Sequence, residues 1–223
     1  MVGSERSVHI SAEGVSLEGN WVIPENALGL VLFAHGSGSS RLSPRNNYVA
    51  QVLRDGGIGT LLFDLLTEEE DRVYATRFDI GLLSERLALT TRWIQQQPEA
   101  AGLPLGYFGA STGAAAALRA AAQFGDAIAA VVSRGGRPDL TGPAITQVKA
   151  PTLLIVGGLD DVVIGLNEQA FAALRAEKEL AIVPGATHLF EERGTLEAAA
   201  RLALGWFQRH FKAAARAADV TRR

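Results

Sequence analysis

The feature that most constrains the fold is a repeated alternation of short apolar runs with longer segments of helical periodicity. The runs 28–36 (LGLVLFAHG) and 58–66 (IGTLLFDLL) are almost continuously apolar, which is typical of strands buried on both faces of a parallel sheet. Comparable runs begin near residues 103, 127, 150 and 178, and helical patterns separate most of them. This order predicts an α/β domain with a mostly parallel, doubly wound sheet of about eight strands.

The segments around these runs complete the predicted architecture. Residues 7–24 alternate in character and predict an N-terminal antiparallel hairpin, with its turn at Glu13–Gly14. We interpret residues 67–76 as a polar loop. The remaining helical patterns cover 44–57, 77–98, 112–124, 165–176 and about 195–215. With no internal repeat or linker, residues 1–223 are expected to form a single domain.

Composition excludes several classes of function. The formal net charge of −3 gives no electrostatic footprint for nucleic acid. The absence of cysteine excludes disulfides, cysteine-based metal sites and a thiol nucleophile. The first residues lack the apolar core of a secretory signal, and no apolar run has the roughly 20 residues of a membrane helix. We therefore expect a soluble, cytoplasmic protein with no nucleic-acid or membrane partner; its oligomeric state stays open.

The segment 108–117 (FGASTGAAAA) places one serine between a predicted strand and a predicted helix. Ser111 lies in the pattern Gly109-Ala110-Ser111-Thr112-Gly113. A sharp turn there projects a nucleophilic hydroxyl clear of its backbone, and Gly109 and Gly113 avoid the collisions that larger side chains would cause. The helix N-terminus also favours negative charge at the site. On the pentapeptide alone, an ordinary glycine-rich loop is an equal alternative.

Two later segments favour the catalytic interpretation. Asp160 follows the apolar run of "LLIVGGLDDVV", and His188 follows the next one in "IVPGATHLFEE". Carboxyl ends of parallel strands share one edge of the sheet, so both loops open beside Ser111. Singly, the aspartate could be a solvated turn residue or helix cap, and the histidine a surface residue. Together, in the order Ser, Asp, His, they predict a triad, with Asp160 rather than Asp161 as its acid.

An oxyanion hole is predicted in the loop that follows the first long apolar run. The sequence His35-Gly36-Ser37-Gly38 lets backbone N–H groups approach a reacting carbonyl. We assign the donors to the backbone amides of Ser37 and Thr112. His35 is then expected to hold the loop by a hydrogen bond rather than to act as a second base. His9, in the hairpin, and His210, in the last helix, are expected to have no catalytic role.

The four stretches "VLFAHGSGSS", "GYFGASTGAAAAL", "PTLLIVGGLD" and "VPGATHLFEE" resemble those of α/β hydrolases, specifically the small dienelactone-hydrolase-like branch. The resemblance implies an α/β-hydrolase fold without a lid, with nucleophile Ser111, acid Asp160 and base His188. The 15 residues from 136 to 150, where a lid is usually inserted, suffice for a loop or one turn of helix. Dienelactone hydrolases have a cysteine nucleophile, so the serine here favours ester chemistry.

These features predict a serine hydrolase that cleaves small carboxylic esters or lactones through an acyl-enzyme, with no metal or organic cofactor. Two alternatives stay open: transfer of the acyl group to another acceptor, and a binding module whose triad is idle. Arg41, Arg45 and Arg134 follow strands at the same edge, which suggests a preference for anionic substrates. The alternative is that these arginines are solvated or paired with Asp64 or Asp139.

Overall fold

The computed structural model describes residues 4–12 and 14–221, which form one eight-stranded sheet with helices on both faces. The strands are β1 (Arg6–Ala12), β2 (Val15–Val22), β3 (Leu30–Ala34), β4 (Gly59–Phe63), β5 (Leu105–Ala110), β6 (Ile128–Arg134), β7 (Thr152–Gly157) and β8 (Lys178–Val183). Their spatial order is β1-β2-β4-β3-β5-β6-β7-β8. The predicted α/β-hydrolase architecture, with about eight strands, is thereby confirmed.

Strand directions also agree with the prediction. The pairs β1–β2 and β2–β4 are antiparallel, and every other neighbouring pair is parallel. The central strands β3, β4, β5 and β7 are buried along their whole length, which explains why their sequences lack the alternation of a half-exposed strand. At the hairpin turn, Gly14 has a φ of 79°, which favours glycine; Glu13 lies outside the described residues.

The helices cover the sheet in two layers. They are α1 (Pro44–Asp55), α2 (Glu68–Asp71), α3 (Ile80–Gln95), α4 (Thr112–Phe124), α5 (Asp161–Ala173) and α6 (Thr195–Thr221). Helices α1 and α6 pack on one face, and α3, α4 and α5 pack on the other, so that each face has its own apolar core. None of the helices within the described part of the chain is both long and apolar enough to cross a membrane.

Three helix predictions need correction. The segment 67–76 is not only a loop: it contains α2, whose Thr67 and Glu70 form a capping box, and the start of a 3₁₀ helix at Tyr74–Phe78. Helix α5 begins at Asp161, four residues before the predicted start. The chain enters this helix soon after β7 ends, and the helix tolerates Gly165 in its interior. Helix α6 continues to Thr221, beyond the predicted end near 215.

The expectation of a sheet without a lid is confirmed. Between β6 and β7 the chain forms only the 3₁₀ segment Pro138–Gln147, which is kinked at Gly142. Because β5 and β6 are in register, with Ala110 opposite Arg134, the loops after both strands leave the sheet side by side. The carboxyl edge of the parallel strands is therefore where the candidate site residues come together.

Candidate active site

Ser111 forms a strained turn between β5 and α4. Its φ of 51° and ψ of −123° lie in a region that non-glycine residues rarely adopt. Hydrogen bonds hold this conformation: the Ser111 amide donates to the Arg134 carbonyl at 3.3 Å, and the Arg137 amide donates to the Ser111 carbonyl at 3.1 Å. The loop after β6 thus fixes the backbone of the serine, which leaves the side chain at the sheet edge.

The glycines on either side of Ser111 leave no space for a side chain. A Cβ atom at Gly109 would lie 2.4 Å from the Ala114 Cα, and one at Gly113 would lie 2.1 Å from the Ala34 carbonyl oxygen. Both distances are far below van der Waals contact with backbone atoms. The close approach of α4 to β3 and β5 therefore requires glycine at both positions.

His188 and Asp160 form a hydrogen-bonded pair at the same edge. The His188 Nδ1 lies 2.8 Å from the Asp160 Oδ2, and the two side chains are 38% and 15% exposed. Asp160 occupies the cap position of α5 but makes no side-chain capping bond, so its carboxylate is free to orient the imidazole. Asp161, the first residue of α5, is exposed. The pair therefore has the arrangement of an acid and a base in a triad.

Ser111 and His188 both adjoin the segment that leaves β6. The Arg134 carbonyl accepts the Ser111 amide, and a Cβ atom at the next residue, Gly135, would lie 3.7 Å from the His188 Cε1. Within residues 4–12 and 14–221 the Ser111 hydroxyl makes no hydrogen bond to His188. Such contacts are often long in unliganded enzymes and shorten when substrate binds.

His35 anchors the loop after β3, as predicted. Its Nδ1 lies 2.9 Å from the Gly36 carbonyl and its Nε2 accepts the Leu65 amide at 3.0 Å, so the proton is on Nδ1. Burial lowers the pKa of His35, which keeps the ring neutral. The other two lone histidines lie away from this edge: His9 is in β1 and His210 is in α6.

The two amides assigned to the oxyanion hole differ in their present partners. The Thr112 amide belongs to the first turn of α4, where backbone N–H groups have no partner within the helix. The Ser37 amide donates to the Thr112 Oγ1 at 2.9 Å. Sequence reasoning did not anticipate this bond, because no sequence pattern shows that the Thr112 side chain turns back toward the loop after β3.

The three arginines singled out in the sequence have different surroundings. Arg41 forms ion pairs with Asp64 and Glu18, and its amide donates to the Asp64 Oδ1 at 2.7 Å. This pairing matches the alternative in which Asp64 binds an arginine. Arg45 forms an ion pair with Glu191 at 3.2 Å. Two of the three are therefore occupied by carboxylates of the chain.

Arg134 is buried, and no carboxylate within residues 4–12 and 14–221 forms an ion pair with it. It is 7% exposed, and its guanidinium carbon lies 5.7 Å from the centre of the Phe190 ring. Its Nε and Nη1 are buried and have no hydrogen-bond partner in the described part of the chain. Burial, and to a lesser extent the charge of Arg45, lower the pKa of Arg134 to about 10. The side chain thus stays charged at neutral pH.

Two residues near the site had no clear signal in the sequence. Arg77 pairs with Asp71, and its Nη1 lies 3.8 Å from the position of a Cβ atom at Gly38, so it covers the oxyanion loop. Asn167, buried in α5, donates to the Gly136 carbonyl at 3.0 Å and holds the loop beside Ser111. Each depends on a contact between residues distant in sequence.

A cavity of about 350 Å³ lies beside the oxyanion loop. Its lining includes His35, Ser39, Arg41 and Asp64 but neither Ser111 nor His188. Its size suits a small ligand group. Among residues 4–12 and 14–221, no three His, Cys, Asp or Glu side chains are grouped so that they could hold a metal ion.

Comparisons with known proteins identify the family and the fold of this chain. The sequence model of the Dienelactone hydrolase family matches residues 58–218. A dienelactone hydrolase from Anabaena variabilis ATCC 29413 is 55% identical, with a TM-score of 0.91, over 93% of this chain and 98% of that one. Est1E from Butyrivibrio proteoclasticus is 14% identical, with a TM-score of 0.79, over 92% of this chain and 99% of that one, which shows a shared fold.

A longer relative is known from Mycobacterium tuberculosis (strain ATCC 25618 / H37Rv), where it is named "Putative phosphoribosyl transferase". It is 57% identical over 206 residues, which are 92% of this chain and 46% of the relative. This chain therefore spans about half the length of that protein. The family match covers most of this chain and supports a hydrolase, and the chain belongs to the dienelactone hydrolase family.

Proposed function

We propose that this protein is a serine hydrolase that cleaves small carboxylic esters or lactones through an acyl-enzyme. The observation that carries the proposal is the strained Ser111 turn beside the His188–Asp160 pair, whose Nδ1 and Oδ2 atoms are 2.8 Å apart. Strain of this kind persists where surrounding structure enforces it, and it concentrates at active sites. The Anabaena relative's name, dienelactone hydrolase, supports the lactones among the substrates we propose.

The proposed reaction uses the three side chains in fixed roles. The Ser111 Oγ attacks the ester carbonyl carbon while the His188 Nε2 accepts the hydroxyl proton, and the carbonyl electrons move onto oxygen. Collapse of this intermediate breaks the bond to the alcohol, which receives the proton from His188. Water then attacks the acyl-enzyme in the same way and releases the acid. Asp160 orients the imidazole and stabilises its cation throughout.

The test of this proposal is a panel of p-nitrophenyl esters and lactones measured with the wild type and Ser111→Ala. We expect the variant to stay folded and to lose roughly 10⁴-fold or more in kcat, down to what the oxyanion hole alone supports. Ser7→Ala, an exposed serine of the hairpin, is the matched control and should keep full activity. Substantial activity in clean Ser111→Ala protein would end the triad hypothesis.

Two other functions use the same site and are separable by experiment. Transfer of the acyl group to an alcohol or amine would appear as a new ester or amide when a competing acceptor is added. A binding module with an idle triad would fail to react with a fluorophosphonate, which labels an activated serine. We favour an enzyme over a binding module because the proposed nucleophile, acid, base and oxyanion loop all lie at one edge of the sheet.

For the substrate, we propose an anionic group that Arg134 binds. A buried charge without a partner is costly, and an anion would relieve that cost. Arg41 and Arg45 are already paired with Asp64 and Glu191, so of these three arginines Arg134 is the one that has no carboxylate partner in the described part of the chain. Arg134 is the last residue of β6 and precedes Gly135, whose Cβ position would lie 3.7 Å from the His188 Cε1, and this supports an anion site near the reacting group.

A further inference from the structure

The oxyanion loop and the start of α4 are held in contact, which limits how the site can rearrange. A Cβ atom at Gly36 would lie 3.1 Å from the Ser111 Cβ, and one at Gly113 would lie 2.1 Å from the Ala34 carbonyl oxygen. His35 ties the same loop to Leu65. The backbone of residues 35–37 is therefore packed directly against the nucleophile turn.

In this contact the Ser37 amide already has an acceptor, the Thr112 Oγ1 at 2.9 Å. A donor that is occupied in this way has less to offer a developing oxyanion. Either the Thr112 side chain rotates away from the Ser37 amide when substrate binds, or its hydroxyl stays in place and takes part in the reaction.

The surroundings of Thr112 favour a hydroxyl that stays. Its side chain is only 4% exposed and β-branched, so packing and the helix restrict its χ1 rotation. Turning away would also leave both the hydroxyl and the Ser37 amide without their mutual bond. The present rotamer is thus the one that the packed site supports.

A threonine hydroxyl that accepts one hydrogen bond still has its own O–H to donate. Thr112 follows the nucleophile directly, at the first position of α4, where the helix N-terminus favours negative charge. A donor that is itself accepting a hydrogen bond is polarised and therefore strengthened. In such an arrangement the Ser37 N–H donates to the Thr112 hydroxyl oxygen, and the Thr112 O–H donates to the oxyanion.

We infer that the Thr112 hydroxyl is a side-chain donor of the oxyanion hole and carries the contribution of the Ser37 amide to the reacting oxygen. The inference rests on the proposed function and replaces direct donation from Ser37 in that scheme. When Ser111 attacks, the carbonyl electrons move onto oxygen, and the Thr112 O–H donates to this oxygen without giving up its proton. When the carbonyl reforms, the hydrogen bond weakens again and the alcohol leaves.

The test compares Thr112→Val, which keeps the shape and backbone amide but removes the hydroxyl, with Thr112→Ser, which keeps the hydroxyl. We expect Thr112→Val to lower kcat by about 10²-fold, the usual loss for one oxyanion donor, with KM changed little. Affinity for a boronic acid, which forms a tetrahedral adduct on serine, should fall by a similar factor. Thr112→Ser, which keeps the hydroxyl, should lose much less than Thr112→Val in both measurements.

Other results overturn the inference. Thr112→Val with wild-type or higher kcat would mean that the hydroxyl merely covers the Ser37 amide. Equal losses in Thr112→Val and Thr112→Ser would mean that any change of this side chain disturbs the site, and that the hydroxyl is not the group responsible. A folded wild type that neither hydrolyses the ester panel nor reacts with a fluorophosphonate would instead remove the proposed function, and this inference with it.

Discussion

At the scale of single residues, the candidate site contains residues whose backbone conformation or side-chain interactions are unusual for their position. Ser111 adopts a positive φ, at a cost on the order of 1–3 kcal/mol. Asp160 occupies a helix cap position, yet its carboxylate binds His188 instead of capping α5. Arg134 is a buried cation that has no carboxylate partner among the described residues. Departures of this kind are expected at functional sites.

The first residue-scale prediction distinguishes the two adjacent aspartates after β7. Asp160→Asn should lower kcat/KM by orders of magnitude, because an amide in place of the carboxylate disfavours the required tautomer of His188. Asp161→Asn, the matched control, should change it little, since Asp161 is exposed. Steady-state kinetics on one ester suffice. A larger loss for Asp161→Asn than for Asp160→Asn would mean that Asp161 is the acid and that the assignment to Asp160 is wrong.

The second residue-scale prediction concerns Arg134. For an ester that carries a carboxylate, Arg134→Gln should raise KM roughly 10- to 100-fold, because a hydrogen bond between charged groups is lost. The KM of a neutral ester of equal size should not change. Arg45→Gln, whose side chain is paired with Glu191, is the control and should leave both KM values unchanged. Equal changes for the two esters would show that Arg134 only supports the fold.

At the scale of elements, close approach of helix and strand positions the nucleophile. The first turn of α4 lies against the end of β3, and at Gly113 there is no room for a Cβ atom. Helix α6 packs on the opposite face in a similar way: a Cβ atom at Gly106 would lie 2.8 Å from the Phe207 ring. Small residues in the sheet thus allow helices on both faces to approach closely.

Two glycine substitutions in helices should therefore have opposite effects on stability. Gly113→Ala should lower the free energy of unfolding by about 1–3 kcal/mol through overpacking and reduce activity, because α4 or β3 must move. In Gly165→Ala, the new Cβ meets nothing within 4 Å, and helix propensity should raise that free energy by roughly 0.5–1 kcal/mol. Thermal unfolding with an activity assay tests both; a stable, active Gly113→Ala would contradict the tight contact.

At the scale of the whole molecule, the carboxyl edge of the sheet is open. The segment between β6 and β7 is a single kinked 3₁₀ stretch rather than a covering domain. Apolar side chains around this edge, such as Tyr74, Leu159 and Leu189, are themselves exposed. Little enclosed apolar wall is available to bury a long acyl chain.

The openness of this edge leads to a prediction about substrate length. We expect kcat/KM to be highest for acetyl to butyryl esters and to fall for longer chains, since each methylene left in water forgoes about 0.8 kcal/mol. The rate should not rise when the substrate forms an emulsion. A p-nitrophenyl ester series across its solubility limit measures both. A maximum at long chains would show that the segment around α2 acts as a cover.

The sequence by itself determined the class of fold, because continuously apolar runs separated by helical patterns have few stable arrangements. It also placed Ser111, Asp160 and His188 after strands, where parallel topology brings their loops to one edge. Only the tertiary structure decided the rest: the Ser37–Thr112 hydrogen bond, the pairing of Arg41 and the burial of Arg134. These depend on side-chain directions and long-range contacts, which local periodicity does not encode.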